Sequence, residues 1–248
     1  MCPERARDNS APHDLLVIIP AWNEEESVGG VVQSVRECVP RADVLVVSDG
    51  SRDGTAAAAR KAGADVLDLK INLGVGGAMR AGFVYAVDNG YRSAVQVDAD
   101  GQHNPADIPA LVERIEKGAD IVIGSRFAGV GQYRSRGPRR WAMKILASVL
   151  SCIAHTKLTD VTSGFKAYSA RALALFSTSY PAEYLGDTIE ALVVGIRSGM
   201  AVEQVGVEMH KRVAGEPSHS PGKSTVYLLR ASLALAVALV SPVKKAVR

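Results

Sequence analysis

Short apolar runs that alternate with segments of helical periodicity restrict the fold of this sequence more than any other feature. The runs predict the strands of a parallel sheet at Leu15–Ile19, Val44–Val47, Asp65–Leu69, Ala94–Val97 and Asp120–Ile123. The segments between them predict helices from Val28 to about Pro40, over Thr55–Ala62, from the glycine-rich turn Asn72–Gly77 to about Asn89, and onward from Pro105. Such alternation is typical of a doubly wound α/β fold whose mostly parallel sheet is flanked by helices.

The regular alternation ends after Phe127. Basic residues cluster around the start of the largely apolar segment Trp141–Ala154, namely Arg134, Arg136, Arg139, Arg140 and Lys144. A helix is predicted over Glu183–Gly199 and a strand over Ala201–Met209. Val226–Val240 is apolar but falls short of the about 20 residues that a transmembrane helix needs. We therefore expect a polar tail over residues 1–14, one α/β domain over 15–215 and a basic, apolar C-terminal segment over 216–248.

Composition and charge exclude several classes of protein. With 47% hydrophobic and 22% charged residues, the chain is neither disordered nor fibrous. Three scattered cysteines argue against a disulfide framework, and the polar N-terminus lacks the apolar core of a signal peptide, so a cytoplasmic location is expected. Basic residues concentrate after Met209, which predicts an anionic partner, but only 5% of residues are aromatic, which argues against nucleic acid.

Polar clusters rich in acids and glycines follow four of the predicted strands: Trp22-Asn23-Glu24, Asp49-Gly50-Ser51, Asp98–Asp100 and Gly124-Ser125-Arg126. Ligands of doubly wound folds bind at the carboxyl ends of the strands. The four clusters therefore predict a functional site at that edge of the sheet.

The acid pair Asp98 and Asp100 indicates a divalent cation. Paired carboxylates offer the oxygen donors that Mg²⁺ or Mn²⁺ prefers and leave positions open for phosphate oxygens, and Gln102 could add a further oxygen. The alternative is a turn whose acids cap a helix.

Other candidates each have a structural alternative. Asp49 could accept hydrogen bonds from a base or ribose, or it could belong to a capped tight turn. Arg126 could contact a pyrophosphate as a forked donor, or it could be a surface arginine. The glycines of Asn72–Gly77 suit a phosphate loop or close packing of a helix on the sheet equally well. A serine hydrolase is disfavoured because no Gly-x-Ser-x-Gly occurs, and an Asp-x-Asp phosphatase because its motif belongs on an early strand.

Six motifs in a fixed order give the chain a resemblance to a known family. They are Pro20-Ala21-Trp22-Asn23-Glu24-Glu25, Ser48–Thr55, Asn72–Ala78, Asp98-Ala99-Asp100-Gly101-Gln102, Gly124-Ser125-Arg126 and Asp160-Val161-Thr162-Ser163-Gly164-Phe165-Lys166. The set resembles family 2 glycosyltransferases, and is most similar to the branch of dolichol-phosphate mannosyltransferases and bacterial polyprenyl-phosphate glycosyltransferases. The resemblance covers roughly residues 15 to 215.

The resemblance implies a Rossmann-like GT-A fold and inverting, metal-dependent transfer of a sugar from a GDP- or UDP-sugar to a polyprenyl or dolichyl phosphate. It implies a donor nucleotide pocket built from Pro20, Trp22, Glu24, Asp49 and Asp98. It implies a site for Mg²⁺ or Mn²⁺ built from Asp98, Asp100 and Gln102. It also implies contacts to donor or acceptor phosphates from Arg126, Arg139, Arg140 and Arg212.

Two questions stay open at this point: whether the acceptor is a lipid phosphate or a hydroxyl, and whether Asp187 acts as a base. A lipid phosphate is already ionised and needs no general base, whereas a soluble hydroxyl acceptor needs one, and Asp187 is the candidate. Asp187 is alternatively a helix-start residue favoured by the helix dipole.

The apolar segments Trp141–Ile153 and Val226–Val240 could be interfacial helices that hold the protein on the cytoplasmic face of a membrane. The alternatives are packing on the sheet for the first and a contact within a homo-oligomer for the second.

Overall fold

A computed structural model describes residues 14–126, 138–181 and 187–210, which build a seven-stranded sheet covered by helices. Its strands are β1 (Leu15–Ala21), β2 (Asp43–Asp49), β3 (Asp65–Leu69), β4 (Ser93–Gln96), β5 (Ile121–Ser125), β6 (Lys166–Ser169) and β7 (Val202–Gly206). Its helices are α1 (Val28–Cys38), α2 (Thr55–Lys61), α3 (Gly74–Asp88), α4 (Ile108–Glu116), α5 (Pro138–Ala154), α6 (Ala170–Ser179) and α7 (Asp187–Arg197). A 3₁₀ turn at Pro105–Asp107 precedes α4.

The strands lie in the order β3-β2-β1-β4-β6-β5-β7. All neighbouring pairs are parallel except those that β6 makes with β4 and β5, which are antiparallel. The predicted mostly parallel, helix-flanked sheet is confirmed. Neither β6 nor α6 was predicted from the sequence. β6 is only four residues long and begins with the charged Lys166, so no apolar run marks it.

The predicted apolar runs form the strands because both faces of the sheet are covered. In β1, all four residues from Leu16 to Ile19 are fully buried, and their side chains alternate between the two core layers. Burying a side chain of this size stabilises the fold by about 1.5–3 kcal/mol. Removing either helical layer would therefore expose one half of every central strand.

The helices divide into the same two layers. On one face, α3 and α6 pack together around aromatic rings, with the Phe83 and Tyr168 ring centroids 4.9 Å apart in an edge-on arrangement. On the other face, α1 buries Val28, Val31, Val32 and Val35 at the spacing that predicted the helix. Helical periodicity in the sequence thus identified the buried stripe of α1 correctly.

The second half of α5 bears on the predicted interfacial helix. Leu146, Ala147 and Leu150 are buried in the core, while Ser148 and Cys152 are exposed. The second half of α5 therefore packs against the domain core, which is the alternative to an interfacial helix. Among the residues described, no helix combines the length and the hydropathy needed to cross a membrane.

Several expectations fall outside the described residues. They concern the N-terminal tail, the domain end at residue 215, the C-terminal segment 216–248 with Val226–Val240, and Arg212.

Candidate active site

Two loops at the carboxyl edge of the sheet are joined by hydrogen bonds between side chains and backbone. The Asn23 amide donates to Ser51 Oγ (3.1 Å), and the Arg52 amide donates to Asn23 Oδ1 (2.9 Å). Further along, the Gly54 amide donates to Glu25 Oε2 (2.7 Å). The loops that follow β1 and β2 therefore form one surface, as their position after neighbouring strands predicted.

An open cleft of about 570 Å³ lies beside these loops. It is lined by residues from the ends of β1, β2 and β3, namely Trp22, Asn23, Gly50, Ser51, Arg52, Asp68, Leu69, Lys70, Ile71 and Asn72. The Trp22 side chain is 54% exposed, which leaves an aromatic face available to a planar ligand. Of the predicted nucleotide-pocket residues that the structure describes, Trp22 is the one that lines this cleft.

Asp49 connects the end of β2 to the start of α3. Its buried carboxylate accepts a hydrogen bond from the Leu73 amide (2.7 Å). Burial raises the pKa of Asp49 above its ordinary value, although the Leu73 and Gly74 amides act in the opposite direction. Next to it, Gly50 has a φ of 65°, and a Cβ there would lie 2.5 Å from the Asn72 backbone nitrogen. Only glycine fits where these two loops touch.

Pro20 and Glu24 shape the same edge without lining the cleft. Pro20 lies within β1 opposite Val47. The Glu24 carbonyl accepts from the Ser27 and Val28 amides, and its carboxylate accepts from Ser27 Oγ (2.7 Å). These bonds place Glu24 at the start of α1, so its predicted contact with a nucleotide stays a prediction.

The acid pair lies just after β4, in a turn that its own hydrogen bonds shape. Asp100 Oδ1 accepts from the Gln102 amide (3.0 Å), and Gly101 adopts a φ of 75°. The Asp98 side chain is 38% exposed, and its Oδ1 accepts from Gln96 Nε2 (3.3 Å). Both carboxylates thus lie in a compact turn at the carboxyl edge, as predicted.

The donor chemistry of this turn fits a hard divalent cation. Two carboxylates and the oxygen of Gln102 are the ligand types that Mg²⁺ and Mn²⁺ prefer. Within the described ranges, no three acidic, histidine or cysteine side chains come together as a complete metal cluster. Two protein carboxylates with substrate phosphates completing the coordination is the arrangement typical of Mg²⁺ sites.

Arg126, at the end of β5, is held by a buried acid. Its Nε and Nη2 donate to the two carboxylate oxygens of Asp160 (2.6 and 2.7 Å), and Nη2 also donates to Thr162 Oγ1 (3.0 Å). The Asp160 side chain is fully buried, and the Arg126 side chain is 19% exposed. This forked pair fixes the guanidinium at the edge of the sheet, and its predicted contact with phosphate stays a prediction.

The family profile described as "Glycosyl transferase family 2" matches residues 16–176, which include both the cleft and the acid pair. The chain belongs to this family. It is a glycosyltransferase.

Two curated relatives have related names. The chain is 34% identical to an undecaprenyl-phosphate mannosyltransferase of Micrococcus luteus, over 84% of this chain and 88% of that one. It is 37% identical to a polyprenol monophosphomannose synthase of Mycolicibacterium smegmatis, over 64% of this chain and 62% of that one.

Solved structures support the fold of this glycosyltransferase. Glucosyl-3-phosphoglycerate synthase from Mycobacterium tuberculosis, in complex with Mn²⁺, uridine-diphosphate-glucose and phosphoglyceric acid, superposes with a TM-score of 0.65 at 23% identity. The alignment covers 93% of this chain and 81% of that one. The same enzyme in complex with phosphoglyceric acid gives a TM-score of 0.68 at 21% identity. These likenesses confirm the predicted GT-A architecture.

The remaining predicted site residues of the glycosyltransferase lie where their side chains are not described. Arg139 and Arg140 belong to the first turn of α5, and Asp187 is the first residue of α7. Asp187 is the first described residue of α7, and both its helix-start alternative and its role as a base stay predictions.

Sequence reasoning missed several residues that hold this site together. Asp160 and Gly164 belong to a family motif that assigns them no individual role, and His103 has no spacing to other metal-ligand residues that would predict a metal site. Ser48, the first residue of the motif Ser48–Thr55, is fully buried, and its hydroxyl has no hydrogen-bond partner among the described residues. A charged side chain there would need a buried partner.

Proposed function

We propose that this glycosyltransferase transfers a sugar from a nucleotide-sugar to a polyprenyl phosphate, with inversion at the anomeric carbon and with a divalent cation. The observation that carries the proposal is the 34% identity, across 84% of the chain, to an undecaprenyl-phosphate mannosyltransferase. The acid pair and the cleft at one sheet edge support it, because they offer places for a diphosphate and for a nucleoside.

The cleft beside Trp22 would receive the nucleoside. Its exposed indole offers a surface for stacking on the base, and Asn23 and Arg52 add polar groups that can fix its orientation. Pro20, Glu24 and Asp49 would shape the edge beside this cleft. Asp49 would do so by holding the start of α3 in place.

Asp98, Asp100 and Gln102 would hold Mg²⁺ or Mn²⁺ against the donor diphosphate. When bound, the ion stabilises the negative charge that builds on the leaving diphosphate. Arg126 would add a fixed positive charge near the same edge, because Asp160 holds its guanidinium before substrate arrives. Arg139, Arg140 and Arg212 would contact phosphates of the donor or the acceptor.

In this reaction, a phosphate oxygen of the acceptor forms a bond to the anomeric carbon from the side opposite the leaving group. The bond from that carbon to the donor diphosphate breaks, and the nucleoside diphosphate leaves with the electron pair. A phosphate monoester has a second pKa of about 6, so the acceptor is ionised near neutral pH and no proton needs to be removed. Asp187 would then have no role as a base.

A lipid acceptor also supports a peripheral location on the cytoplasmic face of a membrane. Assembly of several copies remains compatible with the same chemistry.

The test is release of nucleoside diphosphate from a panel of GDP- and UDP-sugars with Mn²⁺, adding either a polyprenyl phosphate or soluble sugar alcohols. We expect release that depends on the lipid phosphate, with the sugar recovered on the lipid. Release with hydroxyl acceptors alone would overturn the proposed acceptor and make Asp187 the leading base.

Two variants show whether the measured release comes from this site. D100A should remove it, whereas D88N, which neutralises an exposed acid at the end of α3, should leave it unchanged. Equal activity in both variants would show that Asp100 is not part of the site.

A further inference from the structure

His103 lies in a buried cluster for which the proposed reaction has no use. Its side chain is 3% exposed, although histidine is polar and titratable. The ring stacks on Phe165, with centroids 4.8 Å apart and planes 15° from parallel. Phe165 is itself fully buried just before β6, so the imidazole is fixed between the turn after β4 and this aromatic ring.

Hydrogen bonding fixes the tautomer of this ring. The backbone amide of Asp98 donates to His103 Nδ1 (3.0 Å). Since Nδ1 accepts, the proton of the neutral ring is on Nε2. Nε2 lies 3.6 Å from Asp98 Oδ2. The same imidazole therefore approaches Asp98 at two points. Its Nδ1 accepts from the Asp98 backbone amide, and its Nε2 lies near the Asp98 carboxylate.

Two further neighbours confine the same carboxylate. Gln96 Nε2 donates to Asp98 Oδ1 at 3.3 Å. On another side lies Gly164, where an added Cβ would be 2.9 Å from Asp98 Oδ2 and 3.0 Å from Oδ1. The segment before β6 can approach this closely because it carries no side chain at that point. Asp98 is thus enclosed by groups from β4, from its own turn and from the chain leading into β6.

The turn is anchored at its far end as well. His103 forms an isolated antiparallel bridge with Met209, and the Gln102 carbonyl accepts from the His210 amide (2.9 Å). Backbone bonds therefore hold the segment from Gln102 to His103 in place. These bonds hold the backbone of His103, and so help to fix its Nδ1 acceptor relative to Asp98.

We propose that His103 is a positioning residue that sets the Asp98 carboxylate for a divalent cation. The inference rests on the proposed function in one respect, that Asp98 helps to hold a cation. Groups that orient metal ligands from behind change metal affinity by about 10–100-fold when they are replaced. Here the orienting contact is the acceptor Nδ1, and the stacking on Phe165 keeps that acceptor in place.

Replacements of His103 can separate the acceptor from the ring. In H103F the aromatic ring that stacks on Phe165 is kept and the acceptor is lost. In H103N the ring is lost, but Oδ1 stands close to the place of Nδ1 and can accept from the Asp98 amide. H210F is the matched control, since His210 is exposed and its backbone amide supplies the bond to Gln102.

The measurement is Mn²⁺ affinity of the full chain, from the free Mn²⁺ signal in electron paramagnetic resonance, titrated with GDP or UDP present. Thermal unfolding without metal accompanies each titration. We expect H103F to weaken Mn²⁺ binding about 10–100-fold. H103N and H210F should stay close to the wild-type affinity. If H103F does not fold, H103L replaces it with the same expectation, because leucine is smaller and also lacks the acceptor.

Wild-type Mn²⁺ affinity in H103F would overturn the inference, and so would an equal loss in H103N and H103F. A structural role alone would lower the unfolding temperature of both variants and leave metal affinity unchanged. If the wild-type chain binds no Mn²⁺, the metal part of the proposed function fails together with this inference. That outcome can be told apart from a failure of the role of His103 alone, because it is seen in the wild-type chain before any variant is made.

Discussion

The two halves of the carboxyl edge are held in different ways. On the side of β1, β2 and β3, loops are joined through backbone amides and short polar side chains, and an open cleft lies among them. On the side of β4, β5 and β6, buried charged or aromatic groups make the contacts, such as Asp160 with Arg126 and His103 with Phe165.

The difference suits what we propose that each half holds, a nucleoside on the β1–β3 side and a diphosphate on the β4–β6 side. A nucleoside is bound by shape and by a few polar contacts, so loops that rest on their own hydrogen bonds suffice. Groups that meet the charge of a diphosphate must be aimed before the substrate arrives, because reorientation during the reaction would reduce their effect. We therefore expect substitutions on the β4–β6 side to lower activity and stability more than substitutions on the β1–β3 side.

The largest expected effect is on activity, from D100A. Loss of one carboxylate from the proposed cation site should lower kcat at least about 100–1,000-fold, the range seen when one preorganised stabilising group is removed. The protein should stay folded, because Asp100 lies in a turn whose backbone is also held by the bond between Gln102 and His210. Nucleoside diphosphate release and thermal unfolding measure the two parts. Metal-dependent turnover retained in D100A would contradict the assignment.

D160A should give the largest loss of stability. It leaves the Arg126 guanidinium without its forked carboxylate, and removing one partner of a buried pair costs about 3–5 kcal/mol. We expect about 3 kcal/mol, the lower end of that range, because Arg126 retains 19% exposure. Urea unfolding measures the free energy.

The control for D160A is the exposed pair of Asp14 and Arg92. Both side chains are more than 70% exposed, at 78% and 72%, so D14A should cost less than about 1 kcal/mol. Similar losses in D14A and D160A would show that the two sites do not differ as we describe.

G50A tests the β1–β3 side. A Cβ at Gly50 would meet the Asn72 backbone at 2.5 Å, in a residue whose φ is 65°. Strain of this kind costs about 1–3 kcal/mol. G30A is the opposite case, because no atom lies within 4 Å of a Cβ there, and alanine in place of glycine in the first turn of α1 is expected to stabilise by up to about 1 kcal/mol. The free energies of unfolding of both variants should therefore change with opposite signs.

The smallest effect is a pH dependence from two acids of the β1–β3 side. Burial raises the pKa of Asp49 above its ordinary 3.8, so the folded state holds its proton more tightly than the unfolded state. Wild-type stability should accordingly fall, relative to D49N, as pH rises from 3.8 through the raised pKa.

Asp53 should show the reverse slope. Partial burial acts to raise the pKa of Asp53, but hydrogen bonds from the Thr55 hydroxyl and amide and from the Glu25 amide outweigh it and lower the pKa. Wild-type stability should therefore rise, relative to D53N, as pH rises from the lowered pKa to 3.8. Urea unfolding from acid to neutral pH follows both variants, and slopes of the same sign would contradict the assignment.

The sequence determined the parallel part of the fold and the edge at which the site lies. Strands buried on both faces must be apolar throughout, so Leu15–Ile19 and Val44–Val47 could be recognised without a structure. Parallel strands bring their carboxyl ends to one edge, and this placed Trp22, Asp49 and Asp98 together before any contact was known.

Tertiary structure alone decided how the charged groups are held. β6 is four residues long and antiparallel between β4 and β5, and no periodicity marks so short a strand. The partner of Arg126 is 34 residues away, and the ring that stacks on His103 belongs to Phe165, in a different loop. Local sequence predicts where apolar strands run and where they end, because hydrophobic patterning is carried by neighbouring residues. Which buried acid meets which arginine depends on how the chain returns to the sheet, and only the folded molecule contains that information.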